Sequence, residues 1–447
     1  MRSPRNIALH MQRQLPPATV RYLRAAGEIA ARSGYRLFLV GGTVRDLLLE
    51  RPVMDLDLLV EAPPGAPPAP VPYRYPSMAA AAALAEAIAR ALGGQVTARS
   101  QFGTVKLTTP GITMDLATAR TETYSQPGAL PTVRPGAALD DLSRRDFSVN
   151  AMAADLAPDR LGDVLDPHGG LDDLRGRRLR PLHDASFVDD ATRILRALRY
   201  EARLGLRMTP ECEAMARRAA GRLDAISGDR VRNDLERVFQ EATPDGPLER
   251  AEDLGVLRAI LPALSWPPSL TLAAGRLRDA VGRQDPLAYL ALLAAPLSPE
   301  QAEALAVRLN APRRWAKTVG DAQRVKELLP PLSDAAARPS QVHRALADLE
   351  PVAVLAWSAL ADVEIARERL AAFPTMLDHA RAELRGTDLI ALGVPRGPEI
   401  ARLLAELRDA RLDGILTSRL EEEGLVRRSL AHRATPPVGF EPRGDSS

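Results

Sequence analysis

At 447 residues the chain exceeds one ordinary hydrophobic core, so two to four folded units are expected, and a composition 46% apolar, 4% aromatic and rich in alanine, leucine and arginine favours a mostly helical body. The formal net charge of +2 neither demands nor excludes nucleic acid, but lysine occurs only at 106, 317 and 326, and arginine, which supplies the rest, is the better partner for phosphates and base edges. Cys212 stands alone, which excludes an intramolecular disulfide and a cysteine zinc cluster, and no apolar run resembles a signal or can span a membrane, so a cytoplasmic protein without a membrane partner is expected.

Residues 1–19 read as a polar, proline-containing lead-in and 20–32 as a helix. The apolar run 37–40 ends at Gly41-Gly42 and an amphipathic segment, 44–49, follows at once; this predicts a strand, a tight glycine turn and a helix start. Such a turn binds anions. Glycine lets the backbone approach a ligand, the N–H groups of the first helical turn face outward with the positive end of the dipole, and Arg45 can add a charge-assisted contact. Residues 54–60, MDLDLLV, predict a second strand whose period of two puts Asp55 and Asp57 on one face. Neighbouring carboxylates repel unless a divalent cation sits against them, and Mg²⁺ suits one or two carboxylates plus substrate phosphates. An Asp-x-Asp alone also fits a solvated strand edge. Here one short helix separates it from the glycine turn, so both can face one triphosphate, as metal-assisted nucleotidyl transfer requires.

A proline- and alanine-rich insertion at 61–77 predicts a flexible loop. An alanine-rich helix, 78–92, leads into short strands at 95–99, 103–108 and 112–117. Asp115 lies opposite Met114 and Leu116 in the last of these, a candidate third catalytic carboxylate with a structural salt bridge as the alternative. Residues 118–139 have no helix or strand period and read as a long irregular loop. In DLSRRDFSVNAMA, 141–153, Arg144 and Arg145 offer donors for a triphosphate, while Asp146 and Asn150 could hydrogen-bond a ribose 2′-hydroxyl.

Residues 187–206 predict one helix with Ile194, Leu198 and Ala202 on its buried side; Asp190 and Arg193, three apart, share a face, with Arg196 near that row. Cytosine and adenine present an amino donor beside a ring-nitrogen acceptor, whereas uracil and guanine present a carbonyl beside an N–H. A fixed aspartate, which only accepts, and an arginine, which only donates, therefore suit C and A. The alternative is a plain helix-surface ion pair. Residues 209–241 read as two helices, and beyond about 245 the chain is helix after helix, broken by prolines that include 262, 267, 268, 312, 330 and 331. Residues 433–447 are polar and expected to be disordered.

The run GG, VRD, D-x-D at 41–57 resembles the signature of the polynucleotide adenylyltransferase and tRNA nucleotidyltransferase family, bacterial CCA-adding type. Under that resemblance, 118–139 is similar to the family's flexible loop, with Arg120, Glu122 and Tyr124 matching, and 141–153 to its second motif. Residues 189–193 resemble its templating motif Glu-Asp-x-x-Arg, with Asp189 where glutamate is usual, and 227–239 a buttress acting through Arg230 and Glu236. Residues 386–414 resemble an RNA-contacting segment, and the cluster Arg313-Arg314-Trp315-Lys317 is a further candidate for RNA backbone. The resemblance implies an α+β fold: a nucleotidyltransferase head over 20–155 with a small mixed sheet, a helical neck over 156–245, and a helical body and tail over 246–432. It implies addition of C and A to the tRNA 3′ end from CTP and ATP, with Mg²⁺ held by Asp55 and Asp57 and no template strand. Narrower forms of the same chemistry are A-addition alone, CC-addition alone or poly(A) synthesis. A non-catalytic RNA-binding protein is the alternative of another class; an appended phosphohydrolase is disfavoured by six scattered histidines.

Overall fold

The buried run of apolar residues near position 38 becomes an interior strand of a sheet. A computed structural model of the protein describes residues 5–53, 55–63, 79–99, 104–109, 111–123, 132–280, 285–379 and 382–434. The chain divides into two compact units, Met1–Pro262 and Ala263–Ser447.

In the first unit the strands are β1 Arg36–Val40, β2 Leu56–Glu61, β3 Gln95–Arg99, β4 Thr104–Thr109, β5 Ile112–Thr118, β6 Arg120–Thr123, β7 Thr132–Pro135, β8 Ala153–Asp155, β9 Val164–Leu165, β10 Arg178–Leu179 and β11 Arg207–Met208. Seven of them form a mixed sheet in the order β3-β4-β5-β2-β1-β8-β9, with β2 and β5 parallel and the other neighbours antiparallel. β1 is covered on both faces, as a continuous apolar run requires. β5 alternates, with Met114, Leu116 and Thr118 buried and Asp115 on the more open face. Helices Pro17–Arg32 and Ala80–Leu92 bury their apolar stripes within this layer.

The lead-in at 1–19 is more ordered than its polarity suggested. Residues Ala8–Gln14 form a helix, held where Ile7 N–H donates to Gly162 O and where Gln14 Nε2 donates to Leu47 O at 2.7 Å. Two turns are too short for an apolar period to show, and tertiary hydrogen bonds supply what propensity does not. The expected irregular loop at 118–139 is also corrected. β6 and β7 pair antiparallel from Arg120↔Pro135 to Thr123↔Thr132, and helix Ala138–Ser143 follows. Four-residue strands carry no readable alternation. Tyr124, the rest of 124–131, most of the 61–77 insertion and the polar end from 435 lie outside the described residues.

The first unit runs to Pro262 because helices Asp245–Asp253 and Val256–Ile260 pack respectively on helix Thr192–Leu204 and on the 3₁₀ turn Ala220–Ala225. The second unit is helical throughout its described residues, from Pro268–Ala280 to Arg419–Ala434. One of its apolar clusters contains Val325, Leu346, Trp357, Leu370 and Phe373, and Trp357 Nε1 donates to Ala322 O. A second cluster joins Leu384, Leu389, Leu403, Leu407 and Val426. Pro330 and Pro331, expected to break a helix, lie inside Arg313–Ser333. They fall in its last turn, so the hydrogen bonds they forgo to the carbonyls four residues earlier are lost only at the helix end. No helix among the described residues is long and apolar enough to cross a membrane.

Candidate active site

Gly41 joins β1 to helix Gly42–Leu48 with φ +61, in the left-handed region, and a Cβ there would sit 2.3 Å from Arg145 Nη1. Only glycine meets both conditions. The next residue but one supplies a link that spacing alone did not reveal. The Thr43 hydroxyl donates to the Asp55 carbonyl at 3.1 Å and accepts from the Asp57 N–H at 3.1 Å, so it straps the carboxylate segment to the glycine turn. The expected strand over 54–60 begins at Leu56; Asp55 precedes it and is exposed.

Asp57 pairs in register with Asp115 across the parallel β2–β5 ladder, which sets both side chains on one face. Burial pushes Asp57 above its ordinary value, Asp115 and Asp55 push the same way, and Arg145 and Lys106 oppose them. Asp115 is also ion-paired to Lys106 at 3.0 Å, so it is a salt-bridge partner as well as a neighbour of Asp57.

Beside these carboxylates stands a wall of arginines around one fully buried acid. Asp141 accepts from Arg144 Nε and Nη2 through Oδ1, and from Arg145 Nη2 through Oδ2. Arg144 Nη1 donates to Glu122 on β6, which also takes Arg120. Arg45 lies over the Tyr200 ring, is bidentate on Asp46, and donates to Asn150 Oδ1 at 2.6 Å; Asn150 Nδ2 in turn donates to Asp146 Oδ1. Thus Arg45 and Asn150, read as ligand contacts, also hold each other. Phe147, fully buried, packs edge-on against Tyr200 and anchors this motif to helix Thr192–Leu204.

The helix expected over 187–206 is two. Ser186–Asp189 ends at Asp190, whose backbone is extended, and Thr192–Leu204 begins beyond it. Asp190 Oδ1 accepts from the Thr192 N–H and hydroxyl, and Oδ2 pairs with Arg230 at 2.7 Å. A short acidic side chain competes with the helix by capping the next one. Arg193 is buried and donates to Ser186 Oγ and to the Arg144 carbonyl. Asp190 and Arg193 are therefore not an ion pair with each other, surface or otherwise; each is fixed by different partners. Arg196 pairs with Asp146. Burial opposes its charge, yet Asp146, Tyr200 and Asp234 together hold it above the ordinary arginine range.

These groups meet in a cleft of about 500 Å³. Among the described residues its lining includes seven arginines, at 45, 144, 145, 193, 196, 199 and 203, against the carboxylates Asp57, Glu122, Asp146 and Asp190, an excess of positive charge suited to a triphosphate. Gly42 and Asn150 line it too, while Gly41, Asp55 and Asp115 do not. Arg199, Tyr200 and Arg203 went unread in the sequence. A signal was there: Arg193, Arg196, Tyr200 and Arg203 recur at i, i+3, i+7 and i+10, one face of a helix.

Residues 37–180 match the Poly A polymerase head domain, and 205–266 match the probable RNA and SrmB-binding site of polymerase A. The chain is 34% identical over 405 residues to the CC-adding tRNA nucleotidyltransferase of Deinococcus radiodurans, covering 90% of this chain and 91% of that one. The chain belongs to the tRNA nucleotidyltransferase family. It is also 30% identical over 438 residues to the A-adding tRNA nucleotidyltransferase of Geobacter sulfurreducens, covering 94% of this chain but 48% of that one, so it spans about half the length of that relative. The structure of the Thermotoga maritima CCA-adding enzyme complexed with tRNA superposes with a TM-score of 0.75 at 25% identity, over 96% of this chain and all of that one.

Members of this family use divalent metal ions. The donor set here fits one. Asp57 is a half-buried carboxylate facing like charge, which a cation relieves; among the described residues no group of three or more His, Cys, Asp or Glu is arranged around a metal. Hard divalent cations accept a small number of carboxylates with substrate oxygens and water in the remaining positions.

Proposed function

We propose that this chain adds C and A to the 3′ end of tRNA, using CTP and ATP without a template strand. The observation that carries the reading is the single cleft in which Asp57 faces the arginine wall around Asp141 and the Asp190/Arg193 corner. The RNA 3′-hydroxyl attacks the α-phosphate and pyrophosphate leaves. Asp55 and Asp57 would hold Mg²⁺, which supplies a lowered pKa at the attacking hydroxyl and charge stabilisation at the leaving oxygen. Arg144 and Arg145, aimed by Asp141, face the triphosphate, and Asp146 with Asn150 takes the ribose. The Arg193 N–H groups not given to Ser186 and Arg144 donate to the base while Asp190 accepts from its amino group, which favours C and A. The same reading sets the chain in the cytoplasm.

The test is extension of tRNAs ending before CCA, after C, and after CC, with each nucleoside triphosphate. Two C and one A are expected, in that order. Incorporation of A alone on the CC-ending RNA would assign the activity named for the Geobacter relative, and arrest after CC that named for the Deinococcus relative. No incorporation on any RNA would overturn the proposal. Arg193→Ala should raise UTP and GTP use relative to CTP and ATP; unchanged selectivity would remove the base-reading role.

A further inference from the structure

One surface next to the cleft has charge without a counter-charge. β10 and β11 pair in parallel with Arg178 opposite Arg207, and the Arg207 N–H donates to the Arg177 carbonyl at 2.9 Å. Arg177 itself has φ +50, the left-handed conformation that usually falls to glycine or asparagine after a helix end, and its Nη1 lies 3.2 Å from where a Cβ on Gly205 would be. Arg203, two residues before Gly205, lines the cleft. Arg177, Arg203 and Arg207 are all exposed, and none pairs with a carboxylate among the described residues. The nearby acids are already matched, Asp172 by Arg175 and Asp173 by Arg178 and Arg180.

We propose that Arg177, Arg203 and Arg207 form a phosphate track along which the RNA strand being extended reaches the cleft. The proposal rests on the nucleotidyl-transfer reading above and adds the surface that takes the RNA backbone. Three guanidinium groups around one glycine turn offer planar, bidentate donors to successive phosphates. The short parallel ladder holds the backbone at Arg207, and the Arg207 N–H to Arg177 carbonyl bond ties Arg177 to it. Arg203 makes the track continuous with the reacting centre, which distinguishes it from an isolated basic patch. Free triphosphate shares the same chemistry, and the experiment separates the two.

The full chain, as wild type, Arg177→Ala/Arg207→Ala and Arg177→Lys/Arg207→Lys, is compared with a charge-matched control, Arg218→Ala/Arg222→Ala, two exposed arginines elsewhere on this unit. Affinity for tRNA lacking its terminal A is measured from low to moderate salt, with KM for RNA and for ATP alongside. The alanine pair should weaken RNA binding roughly tenfold and flatten the log–log salt slope by about one to two units. The lysine pair should keep most of that slope, and KM for ATP should stay put. Unchanged RNA affinity, an equal loss in the control, or a rise confined to the KM for ATP would overturn the track. Should the double variant not fold, Arg207→Ala alone is expected to show about half the change in slope. If wild type binds RNA with the predicted dependence yet transfers no nucleotide, the function reading fails and the track stands.

Discussion

Both units bury charged side chains, but for different ends. In the second unit, Glu422 is fully buried and accepts from the Glu383 and Leu384 N–H groups and from Arg411, so its carboxylate stitches backbone to backbone among apolar helices. In the first unit, Asp141 is equally buried, and both its oxygens take arginines that line a cleft. The first arrangement finishes a core. The second places two arginines on the wall of a cleft, where their remaining N–H groups face open space rather than packed helices. Removing one partner of such a network leaves the other charge buried, so the network favours a single arrangement more than it adds net stability.

That contrast predicts which substitutions separate stability from chemistry. The largest stability effect belongs to the second unit. Phe373→Ala empties the centre of one of its apolar clusters and should cost about 3–5 kcal/mol in a urea titration, while ATP binding measured by equilibrium dialysis is unaltered. A cleft that lost ATP at the same time would end the separation. Thr43→Val should do the reverse. It keeps the shape of the side chain but leaves the Asp57 N–H without its acceptor, so the expected stability loss is about 1–2 kcal/mol, with kcat falling roughly tenfold or more as the carboxylates lose their alignment. Equal kcat in the variant would show that Asp57 is held by the sheet alone.

The smallest effect is one of pH. His343, buried beside Phe373 in the second unit, has its pKa lowered by burial and by Arg408, with Asp409 opposing. Because the unfolded chain takes up that proton more readily, stability is full above the ordinary histidine value near 6.5 and declines as pH falls below it. His343→Gln should flatten the decline between pH 6.5 and 5, monitored by the unfolding midpoint. An unchanged profile would assign the pH response to other groups.

Local pattern carried the parts of this molecule that local physics decides. The Gly41 turn, β1, the Asp57 strand, the helix row bearing Arg193 and Arg196, and the helical second unit were all legible from glycine, period two and period 3.6. Partners distant in sequence were not. Arg45 meets Asn150 across 105 positions, and the Thr43 strap needs the fold before it exists. The break at Asp190 was hidden because an apolar face running through 187–206 suits one helix as well as two, and only the capping of Thr192 and the pull of Arg230 choose between them. Asp141 stood in the quoted motif, yet its role follows from burial, which no single residue announces.

The central claim is that Asp57, with Asp55, does the chemistry that the arginine wall prepares. Single-turnover incorporation of AMP or CMP into saturating tRNA with Mg²⁺, by wild type and by Asp57→Asn, tests it most directly. A fall of at least about 10³-fold is expected, the rate equivalent of several kcal/mol of charge stabilisation, with RNA affinity unchanged. Incorporation within tenfold of wild type would contradict the account.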